Sequence, residues 1–315
     1  MKSRQTIIKR LILRLRSIIR SSRILKYSCK FSKKVYTQHQ LLLLLILKLK
    51  SKKDYREFME EVAFNNDLYQ LLELHSLPHF TTLIKFLKRF DTNLFDRILL
   101  QIVYTVEIEE INVGIDGTGF SSSYSSKYLV MRINRISSYK NFMKLSVAVD
   151  TNRQLILCMK SRKSPSNDNK DFIPLLKKLP PAQVNNVMAD KGYDCEANHR
   201  FIRDELDAEP LIPVKKNIAG CHNNKLRKKM KRLFESNPSY LKSYHQRSKV
   251  ETVFSVMKRK FGDVLFSRKT EIKKKELKMR AIIYNVYRIT KDESLLLLEV
   301  FIKALLPALM KSSRA

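Results

Sequence analysis

Acidic residues are scarce in this chain, and residues 1–53 contain none. The 315 residues include 62 lysines and arginines against 30 aspartates and glutamates, so the formal net charge is +32 and the isoelectric point is about 10.0. This excess of positive charge is too large for an ordinary protein surface and indicates a polyanionic partner, with nucleic acid the first candidate. Binding to such a partner should weaken steeply as the salt concentration rises.

Cysteine is also scarce. The four cysteines at positions 29, 158, 195 and 221 show no paired C-x-x-C spacing, which argues against a disulfide framework and against a zinc site. Thiols so few and so scattered are typical of a reducing cytoplasm. We therefore expect a cytoplasmic protein, and its positive charge favours association with the nucleoid.

The sequence lacks an apolar run long enough to cross a membrane. Leu41–Leu47 is too short, and Leu295–Leu306 is interrupted by Glu299 and Lys303. We expect the first run to form a buried helix. The second should form a helical tail that packs on the rest of the chain or on a second subunit.

The first 20 residues have an amphipathic pattern. Apolar residues at positions 7, 8, 11, 12, 15, 18 and 19 form one stripe, backed by Lys9, Arg10, Arg14 and Arg20. A basic amphipathic helix can lie on an anionic membrane or resemble a transit peptide. It can also contact DNA as an arm, and this interpretation is favoured because the rest of the chain implies DNA.

Two apolar segments read as short strands that stop at an aspartate. Ile111–Ile115 precedes Asp116, and Val184–Ala189 precedes Asp190, each with a glycine within the next two residues. Such runs are typical of central strands in a sheet with covered faces. A carboxylate at the end of a strand is held rigidly yet opens onto the edge of the sheet, where ligands collect. For each aspartate taken alone, a turn residue leaving a strand is the commoner explanation.

A third segment, Tyr244 to Lys258, has the apolar spacing of a helix at positions 250, 254, 257 and 261. On one helix, Tyr244, Arg247, Glu251 and Lys258 would fall within about 60° of one another and form a single polar stripe. An ordinary basic amphipathic helix with an Arg247–Glu251 ion pair would give the same pattern. Basic clusters at 225–232 and 258–278 flank the segment, as a DNA channel would require.

Taken together and in this order, the three segments resemble the insertion-sequence transposases of the DDE type that carry the tyrosine–arginine–glutamate–lysine (YREK) signature. The matches are IDGTGF at Asp116, MADKGYD at Asp190 and YHQRSKVETVFSVMK at Glu251. The resemblance covers roughly residues 107–290 and extends more weakly to DYREF (54–58) and LPHFTTLIKFLKRF (77–90). Gly117 stands where the family often has serine, which changes the turn but not the carboxylate.

The chemistry of such enzymes accounts for the three acidic residues. Two Mg²⁺ ions about 3.5–4 Å apart can activate the attacking oxygen and stabilise the leaving oxygen in an in-line displacement at phosphorus. Mg²⁺ prefers carboxylate oxygens and water. We therefore assign Asp116, Asp190 and Glu251 as catalytic ligands of two Mg²⁺ ions, or Mn²⁺ ions, and the resemblance implies that Asp116 bridges them. Without metal, repulsion among them should raise the pKa of at least one carboxyl.

The resemblance also implies a DNA-binding role for Tyr244, Arg247 and Lys258 near the cut. A guanidinium can hold a phosphate with two hydrogen bonds, and lysine supplies a compact positive charge. Tyrosine can donate to a phosphate or stack beside a displaced base. The alternative for all three residues is solvated surface charge. The partners expected are double-stranded DNA, as element ends and as target, and a second copy of the chain that makes a homodimer when paired on DNA.

Three further aspartates receive no catalytic role. Asp150 is expected in the turn of a β-hairpin that runs into residues 154–159. Asp171 lies at the start of a predicted helix, where aspartate caps free amides. Asp194 lies near Asp190 and is expected to be an ordinary loop residue.

The fold predicted is α/β, with a ribonuclease H-like catalytic domain (a mixed sheet flanked by helices) preceded by an all-helical N-terminal domain. Strands are expected at 108–115, 128–133, 144–149, 155–159, 184–189 and 210–214, helices at 171–179 and 196–206, and a basic loop at 215–243. Residues 1–105 would be a helical, basic domain that binds DNA ends, and 78–90 could be half of a helix-turn-helix. Residues 106–292 would form the catalytic domain, and 293–315 a C-terminal helical tail.

These observations predict a DNA transposase that binds the terminal inverted repeats of its own insertion sequence, cleaves DNA with two metal ions and transfers the 3′ ends to a target. Two alternatives stay open. One is a metal-dependent nuclease of the same fold that lacks strand transfer, and the other is a transposase-derived DNA-binding protein that no longer cuts. A basic RNA-binding protein would fit the charge but would give no reason for the three spaced carboxylates.

Overall fold

A long central strand organises the sheet. The strands are β1 (Glu110–Ser122), β2 (Phe142–Asp150), β3 (Leu155–Lys163), β4 (Gln183–Ala189), β5 (Glu209–Leu211) and β6 (Val264–Leu265). Their order is β3-β2-β1-β4-β5, with β6 beside the end of β1. β1, β2 and β3 are antiparallel, whereas β4, β5 and β6 run parallel to β1. The sheet is therefore mixed, with β1 at the boundary between its two halves.

The computed structural model describes residues 2–122, 142–163, 169–215 and 225–312, without the side chains of 2–6 and 294–312. The strand expected at 128–133 and Cys221 lie outside the described residues. The strands expected at 144–149, 155–159 and 184–189 are confirmed, and β2 and β3 extend beyond the expected ends. The hairpin turn at Asp150 is also confirmed, since a side-chain oxygen of Asp150 accepts a hydrogen bond from the backbone N–H of Asn152 (3.0 Å).

The expectation that the first strand stops at Asp116 is wrong. β1 continues to Ser122, and its antiparallel pairing with β2 runs through Ser121. The parallel pairing with β4 does end at Ile115, one residue before the aspartate. Asp116 therefore lies at the end of one strand pair and in the middle of another, because β2 extends further along β1 than β4 does.

Helices cover the sheet and fill the region before it. Within the described residues, those that precede β1 are α1 (Lys2–Ser21), α2 (Gln38–Ser51), α3 (Tyr55–Phe64), α4 (Asn66–Leu71), α5 (Phe80–Arg89) and α6 (Thr92–Tyr104). Those that follow are α7 (Asn169–Leu176), α8 (Glu196–Leu206), α9 (Lys225–Ser236), α10 (Pro238–His245), α11 (Ser248–Phe261) and α12 (Thr270–Ser312). No helix in these ranges is long and apolar enough to span a membrane.

The segment from 215 to 243 differs from the expected basic loop. Its described part consists mainly of α9 and the first residues of α10. Asn237 ends one helix and caps the next, since its side chain accepts a hydrogen bond from the N–H of Ser239 (3.0 Å). The basic residues from Lys225 to Lys242 therefore lie on two helices rather than on an irregular loop.

Two apolar cores lie on opposite faces of the sheet. On one face, α7 and α8 cover Val113 and Ile115 of β1. On the other face, α11 and α12 join the N-terminal helices over Phe120 and the inward residues of β2 and β3. Alternate residues of a strand point to opposite faces, so the even-numbered residues of β1 face α11.

The helices before β1 do not have a core of their own. Nearly all of their buried apolar residues belong to the same cluster as those of α11, α12 and the sheet, and Val103 of α6 belongs to the core on the opposite face. Leu41–Leu47 is buried in α2, as expected. In addition, the Lys275 ammonium of α12 donates to the backbone carbonyls of Leu87 (2.8 Å) and Lys88 (3.0 Å) at the end of α5. A boundary at residue 105 therefore separates an all-helical part from a part that also contains the strands, but the two parts share a core.

The interpretation of the N-terminal helix as an arm is not supported by its packing. Five apolar residues of α1 are buried in the shared core: Leu11, Ile12, Leu15, Ile18 and Ile19. Arg16 and Arg20 both form ion pairs with Glu73. Burial of these five residues against the protein takes most of the stripe away from a membrane surface, and Ile8 stays exposed. Lys9 and Arg10 stay exposed on the opposite side.

Gly114 allows α11 to approach β1 closely. A Cβ built on Gly114 would lie 2.5 Å from Cγ2 of Val250 in α11 and 3.0 Å from Cγ2 of Thr151. Real Cβ contacts are longer than the first distance, so only glycine fits here without movement. This close contact sets how far α11, and with it Glu251, stands from the strand that carries Asp116.

Replacing Gly114 with alanine should therefore destabilise the protein by about 1–3 kcal/mol. Val250→Ala removes the clashing methyl groups, so the double variant should lose less stability than the sum of the two single variants. Urea unfolding of the four proteins measures the difference. Gly192→Ala is the matched control, because no described heavy atom lies within 4 Å of a Cβ at that position. Strictly additive losses would show that α11 does not pack this closely.

Candidate active site

Asp116 projects from β1 toward α11 and is held at both carboxylate oxygens. Oδ1 accepts a hydrogen bond from the N–H of Gly117 (2.8 Å), and Oδ2 accepts one from Nη1 of Arg247 (3.1 Å). The side chain is about one-quarter exposed, with 23% of its surface accessible. The central strand therefore presents a fixed, partly buried carboxylate on the α11 face of the sheet.

Glu251 lies on α11 and shares the same arginine. Its Oε1 accepts a hydrogen bond from Nη2 of Arg247 (2.9 Å), so one guanidinium bridges Glu251 and Asp116. The Glu251 side chain is 58% exposed. Two of the three predicted metal ligands are thus brought together from residues 116 and 251, with a positive group between them.

Asp190 follows β4 directly. β4 lies beside β1, and their pairing ends with Ile115 opposite Ala189, one residue before each aspartate. The exposed side chain of Asp190 accepts a hydrogen bond from the N–H of Lys191 (2.7 Å) and caps a short 3₁₀ turn. Strand register therefore places the two aspartates next to each other on neighbouring strands.

The electrostatic environment of Asp116 reflects this convergence. Burial raises the pKa of Asp116 above its ordinary value. The N–H of Gly117 and the charge of Arg247 oppose the rise, while the charges of Glu251 and Asp190 add to it. The direction of the expected shift is confirmed. Its largest cause is burial, however, and repulsion among the carboxylates contributes less.

Tyr244 and Glu251 do not lie on one continuous helix, contrary to expectation. Tyr244 belongs to α10, and the chain tightens before α11 begins at Ser248. The N–H of Arg247 bonds to the carbonyl of Tyr244 (2.9 Å), three residues back rather than four. This tight turn directs Arg247 toward Asp116. Because of the break, Tyr244, Arg247, Glu251 and Lys258 are not spaced at the regular 100° per residue of one continuous helix.

The Tyr244 ring packs edge-on against Phe234 of α9, with 5.8 Å between the ring centroids. Burial raises the pKa of Tyr244, and the nearby charge of Arg247 opposes that rise. The tyrosine is therefore half-buried beside the arginine rather than fully solvated. This position differs from that of an ordinary surface residue, which was the alternative left open for it.

Lys258 meets β1 two residues beyond Asp116. Its Nζ donates to Oγ1 of Thr118 (2.7 Å) and lies 5.2 Å from the centroid of the Phe120 ring. Burial lowers the pKa of Lys258, and Asp263 opposes that change. Asp116, Thr118 and Phe120 all face α11, so this helix runs along β1 and places Glu251 and Lys258 at successive points of the strand.

Within the described parts of the chain, no three His, Cys, Asp or Glu side chains lie close enough together to hold a metal ion as they stand. The donor set itself nevertheless suits a hard divalent cation, because Asp116, Asp190 and Glu251 offer carboxylate oxygens. Arg247 occupies the space between two of them. The mostly exposed Glu251 can rotate toward the aspartates once that contact opens.

Sequence patterns missed a buried acidic centre next to this site. Asp194 is fully buried and accepts hydrogen bonds from Nε2 of His199 (3.0 Å), from the N–H of Lys215 (2.9 Å) and from Nε of Arg227 (2.9 Å). Arg227 lies in α9, whose Phe234 contacts Tyr244. Asp194 therefore lies in a loop, as expected, but its buried carboxylate also anchors α9.

Asp171 lies in the first turn of α7, at the start of a helix as expected. Its buried carboxylate also forms ion pairs with Lys160 (3.4 Å) and Arg162 of β3. Its Oδ2 also lies within hydrogen-bond distance of Oγ of Ser146 (3.4 Å). No local pattern predicts such contacts, because they join a helix to strands that are distant in sequence.

The chain has the mixed α/β fold and the site described above, and comparison with known proteins gives its family. The profile of the family described as "Transposase DDE domain" matches residues 113–286, more than half of the chain. The chain therefore belongs to the DDE transposase family. DDE transposase domains generally use divalent metal ions and act on DNA.

Two relatives match along most of their length. An uncharacterized protein of Aquifex aeolicus is 24% identical over 269 residues, which cover 83% of this chain and 80% of the relative. A protein of Archaeoglobus fulgidus described as a probable transposase for insertion sequence element ISA1214 is 25% identical over 266 residues, covering 82% of this chain and 76% of the relative. Matches of this length extend beyond the sheet into the part of the chain that precedes it.

The Asp194 anchor gives a prediction about pH. Burial alone would raise the pKa of Asp194, but the hydrogen bonds from His199, Arg227 and Lys215 outweigh it and hold the pKa well below its ordinary value. A lowered pKa stabilises the fold above the unfolded-state value of about 3.9, and this stabilisation is lost as the pH falls below it. Asp194→Asn should therefore destabilise the protein by about 3 kcal/mol at pH 7.

Urea unfolding at pH 7, 5 and 3.5 measures this effect. The difference between wild type and Asp194→Asn should stay constant from pH 7 to 5 and shrink at pH 3.5. Asp204→Asn, on the exposed face of α8, is the matched control. A difference that does not change with pH would show that the Asp194 charge does not hold α9.

Proposed function

We propose that this protein is a DNA transposase that binds the terminal inverted repeats of its own insertion sequence. It cleaves DNA with two divalent metal ions and transfers the 3′ ends to a target. The observation that supports this most strongly is that Arg247 joins Asp116 on the central strand to Glu251 on a helix, while Asp190 ends the neighbouring strand beside Asp116. The family and the strongly basic composition support it as well.

We assign the sheet and its helices to the ribonuclease H-like fold. The support is the strand order, in which three antiparallel strands are followed by two strands parallel to the first. Helices on both faces agree with it. Residues 106–292 would then be the catalytic domain. The proposed tail, 293–315, begins within α12, which runs without a break to Ser312.

The metal ions proposed are two Mg²⁺, with Mn²⁺ as a substitute, and Asp116, Asp190 and Glu251 would hold them. When bound, they would activate the attacking oxygen and stabilise the leaving oxygen of the phosphodiester. Asp116 is the ligand proposed to be shared by both ions, because its strand lies beside that of Asp190 and its arginine partner also pairs with Glu251. The partly buried surroundings of Asp116 strengthen its interaction with a cation, since charges interact more strongly where water is excluded.

Arg247 would bind the two carboxylates first and a DNA phosphate once the metal ions are bound. In the structure its guanidinium neutralises Asp116 and Glu251 together (3.1 and 2.9 Å). A divalent cation and a guanidinium compete for the same carboxylate oxygens, so binding of metal should release Arg247. The released guanidinium can hold a DNA phosphate with two hydrogen bonds. Arg247 would therefore change from a partner of the carboxylates to a ligand of the substrate.

Tyr244 and Lys258 would contact the same DNA strand. Tyr244 lies beside Arg247, and Lys258 lies further along β1 at Thr118. A tyrosine hydroxyl can donate to a phosphate, and a lysine supplies a positive charge. The two residues would thus hold the strand on either side of the carboxylates.

The helices of residues 1–105 are proposed to bind the element ends. α5 and α6 are separated only by Phe90 and Asp91, which agrees with a short turn between two helices, one of which would enter a major groove. The partners proposed are double-stranded DNA, as element ends and as target, and a second copy of the chain in a homodimer on paired ends. We propose that it acts in the cytoplasm, on the nucleoid.

A single substitution tests the catalytic assignment. Asp190→Asn should reduce Mg²⁺-dependent cleavage of labelled element ends by roughly 10³-fold or more, because a metal ligand is lost without a change in shape. DNA binding should change less than about threefold, since most of the affinity comes from phosphate contacts. Cleavage is measured on sequencing gels and binding by fluorescence anisotropy at the same salt concentration.

Asp204→Asn is again the control and should cleave like the wild type. Cleavage that persists in Asp190→Asn would contradict the assignment. Hydrolysed products without joined products in the wild type would favour the nuclease that lacks strand transfer. Binding of element ends without cleavage in the wild type would favour the DNA-binding alternative.

A further inference from the structure

A cavity of about 920 Å³ opens next to Lys258. Its walls come from the end of α2, the start of α3, the end of α11, β6 and α12. The N-terminal helices and the sheet region therefore form it together. No role assigned above uses this cavity.

The cavity contains a lysine held between two aromatic rings. Nζ of Lys48 lies 4.4 Å from the centroid of the Tyr55 ring and 5.7 Å from that of the Phe266 ring. Burial lowers the pKa of Lys48, the charge of Arg280 adds to this, and Glu276 opposes it. The Phe266 ring is 54% exposed at the mouth. An exposed aromatic face thus stands beside a half-buried cation.

Arg280 forms part of the cavity wall, and its Nη1 is paired with Glu276 at a distance longer than a hydrogen bond. Its side chain is 2% exposed. Nε donates to the carbonyl of Phe261 (3.2 Å), and Nη2 donates to that of Val264 (2.7 Å). Nη1 is buried without a hydrogen-bond partner within the described residues and lies 3.6 Å from Oε2 of Glu276. A buried guanidinium N–H without an acceptor is costly unless a ligand supplies one.

Positive charge in the cavity exceeds negative charge. Six basic residues line it: Lys48, Lys52, Lys53, Lys258, Arg259 and Arg280. The cavity has three acidic residues, Asp54, Asp263 and Glu276. Two of them already accept hydrogen bonds from backbone N–H groups. Asp54 caps α3, and Glu276 accepts hydrogen bonds from the N–H groups of Phe266 (3.2 Å) and Ser267 (3.0 Å). The remaining positive charge favours an anionic ligand.

We propose that this cavity binds one nucleotide of an unpaired DNA strand, with its phosphate toward Lys48 and Arg280 and its base against Phe266. Aromatic faces beside cations are the arrangement by which proteins hold single-stranded nucleic acid. Lys258 connects the cavity to the active site, since it lines the cavity and also bonds to Thr118, two residues from Asp116. A strand that contacts both the carboxylates and Lys258 would therefore lie next to the cavity.

This inference rests on the proposed function only as the source of the unpaired DNA strand. Nucleotide binding itself can be measured without cleavage. The chain contains no tryptophan, so Phe266→Trp introduces a single fluorescent reporter at the mouth. Phe64→Trp is the matched control, because Phe64 is 91% exposed and lies outside this cavity. Fluorescence excited at the tryptophan band is followed while inorganic phosphate, thymidine monophosphate, single-stranded DNA or duplex DNA is added.

The Phe266→Trp reporter should respond saturably to single-stranded DNA, at concentrations at least tenfold below those needed for the mononucleotide or the duplex. Phosphate alone should give no response, and the Phe64→Trp reporter should not respond to any of the four. Equal responses of the two reporters would overturn the site. Equal binding of mononucleotide and single strand would overturn its assignment to a DNA strand.

A second measurement keeps the native aromatic residue. Lys48→Gln should weaken binding of a labelled single strand at least fivefold, and Lys30→Gln, an exposed lysine with the same charge change, should not. Equal effects of the two substitutions would contradict the site. A protein that cleaves DNA but has a silent reporter would overturn this inference alone. A reporter that responds in a protein unable to cleave would support the site and contradict the proposed function.

Discussion

The contact of one guanidinium with two carboxylates holds the site together. Arg247 joins Asp116 on the central strand to Glu251 on α11. Without a positive group there, the two carboxylates would repel one another in a partly buried space. The chain thus gathers its acidic residues with its own arginine, at the place where the proposed reaction needs divalent cations. Metal binding and the release of Arg247 toward a DNA phosphate would then be a single event.

The N-terminal helices are also fixed relative to the carboxylates, because they pack against the helices beside the sheet. The helices proposed to bind element ends share their core with α11 and α12. Nζ of Lys278 in α12 donates to the carbonyl of Thr92 (3.1 Å) and pairs with Asp96 (2.8 Å), both in α6. DNA held by α5 and α6 would therefore keep a fixed orientation relative to the carboxylates. The cavity at Lys48 lies at the same junction, between the N-terminal helices and the helices α11 and α12.

Much of the fold could be predicted from the sequence, because apolar periodicity and glycine boundaries are local properties. The continuation of β1 past Asp116 could not, since its partner strand determines where the strand ends. The break before α11 depends on the contacts of Arg247 with Asp116 and of Tyr244 with Phe234, which no helical spacing reveals. Asp194 bonds to a residue 33 positions away, and its identity alone gives no sign of this. The motifs predicted the candidate site residues, whereas only the structure shows that Arg247 lies between Asp116 and Glu251.

Competition between Arg247 and a divalent cation is the most direct test. Mn²⁺ binding is measured by electron paramagnetic resonance without DNA in the wild type, Arg247→Gln and Glu251→Gln, with the exposed Arg232→Gln as a charge-matched control. The Arg247→Gln protein should bind Mn²⁺ roughly two- to tenfold more tightly than the wild type, which corresponds to about 0.5–1.4 kcal/mol for the lost ion pairs. Glu251→Gln should bind it much more weakly. Unchanged affinity in Arg247→Gln, or wild-type affinity in Glu251→Gln, would contradict a metal site built from these carboxylates.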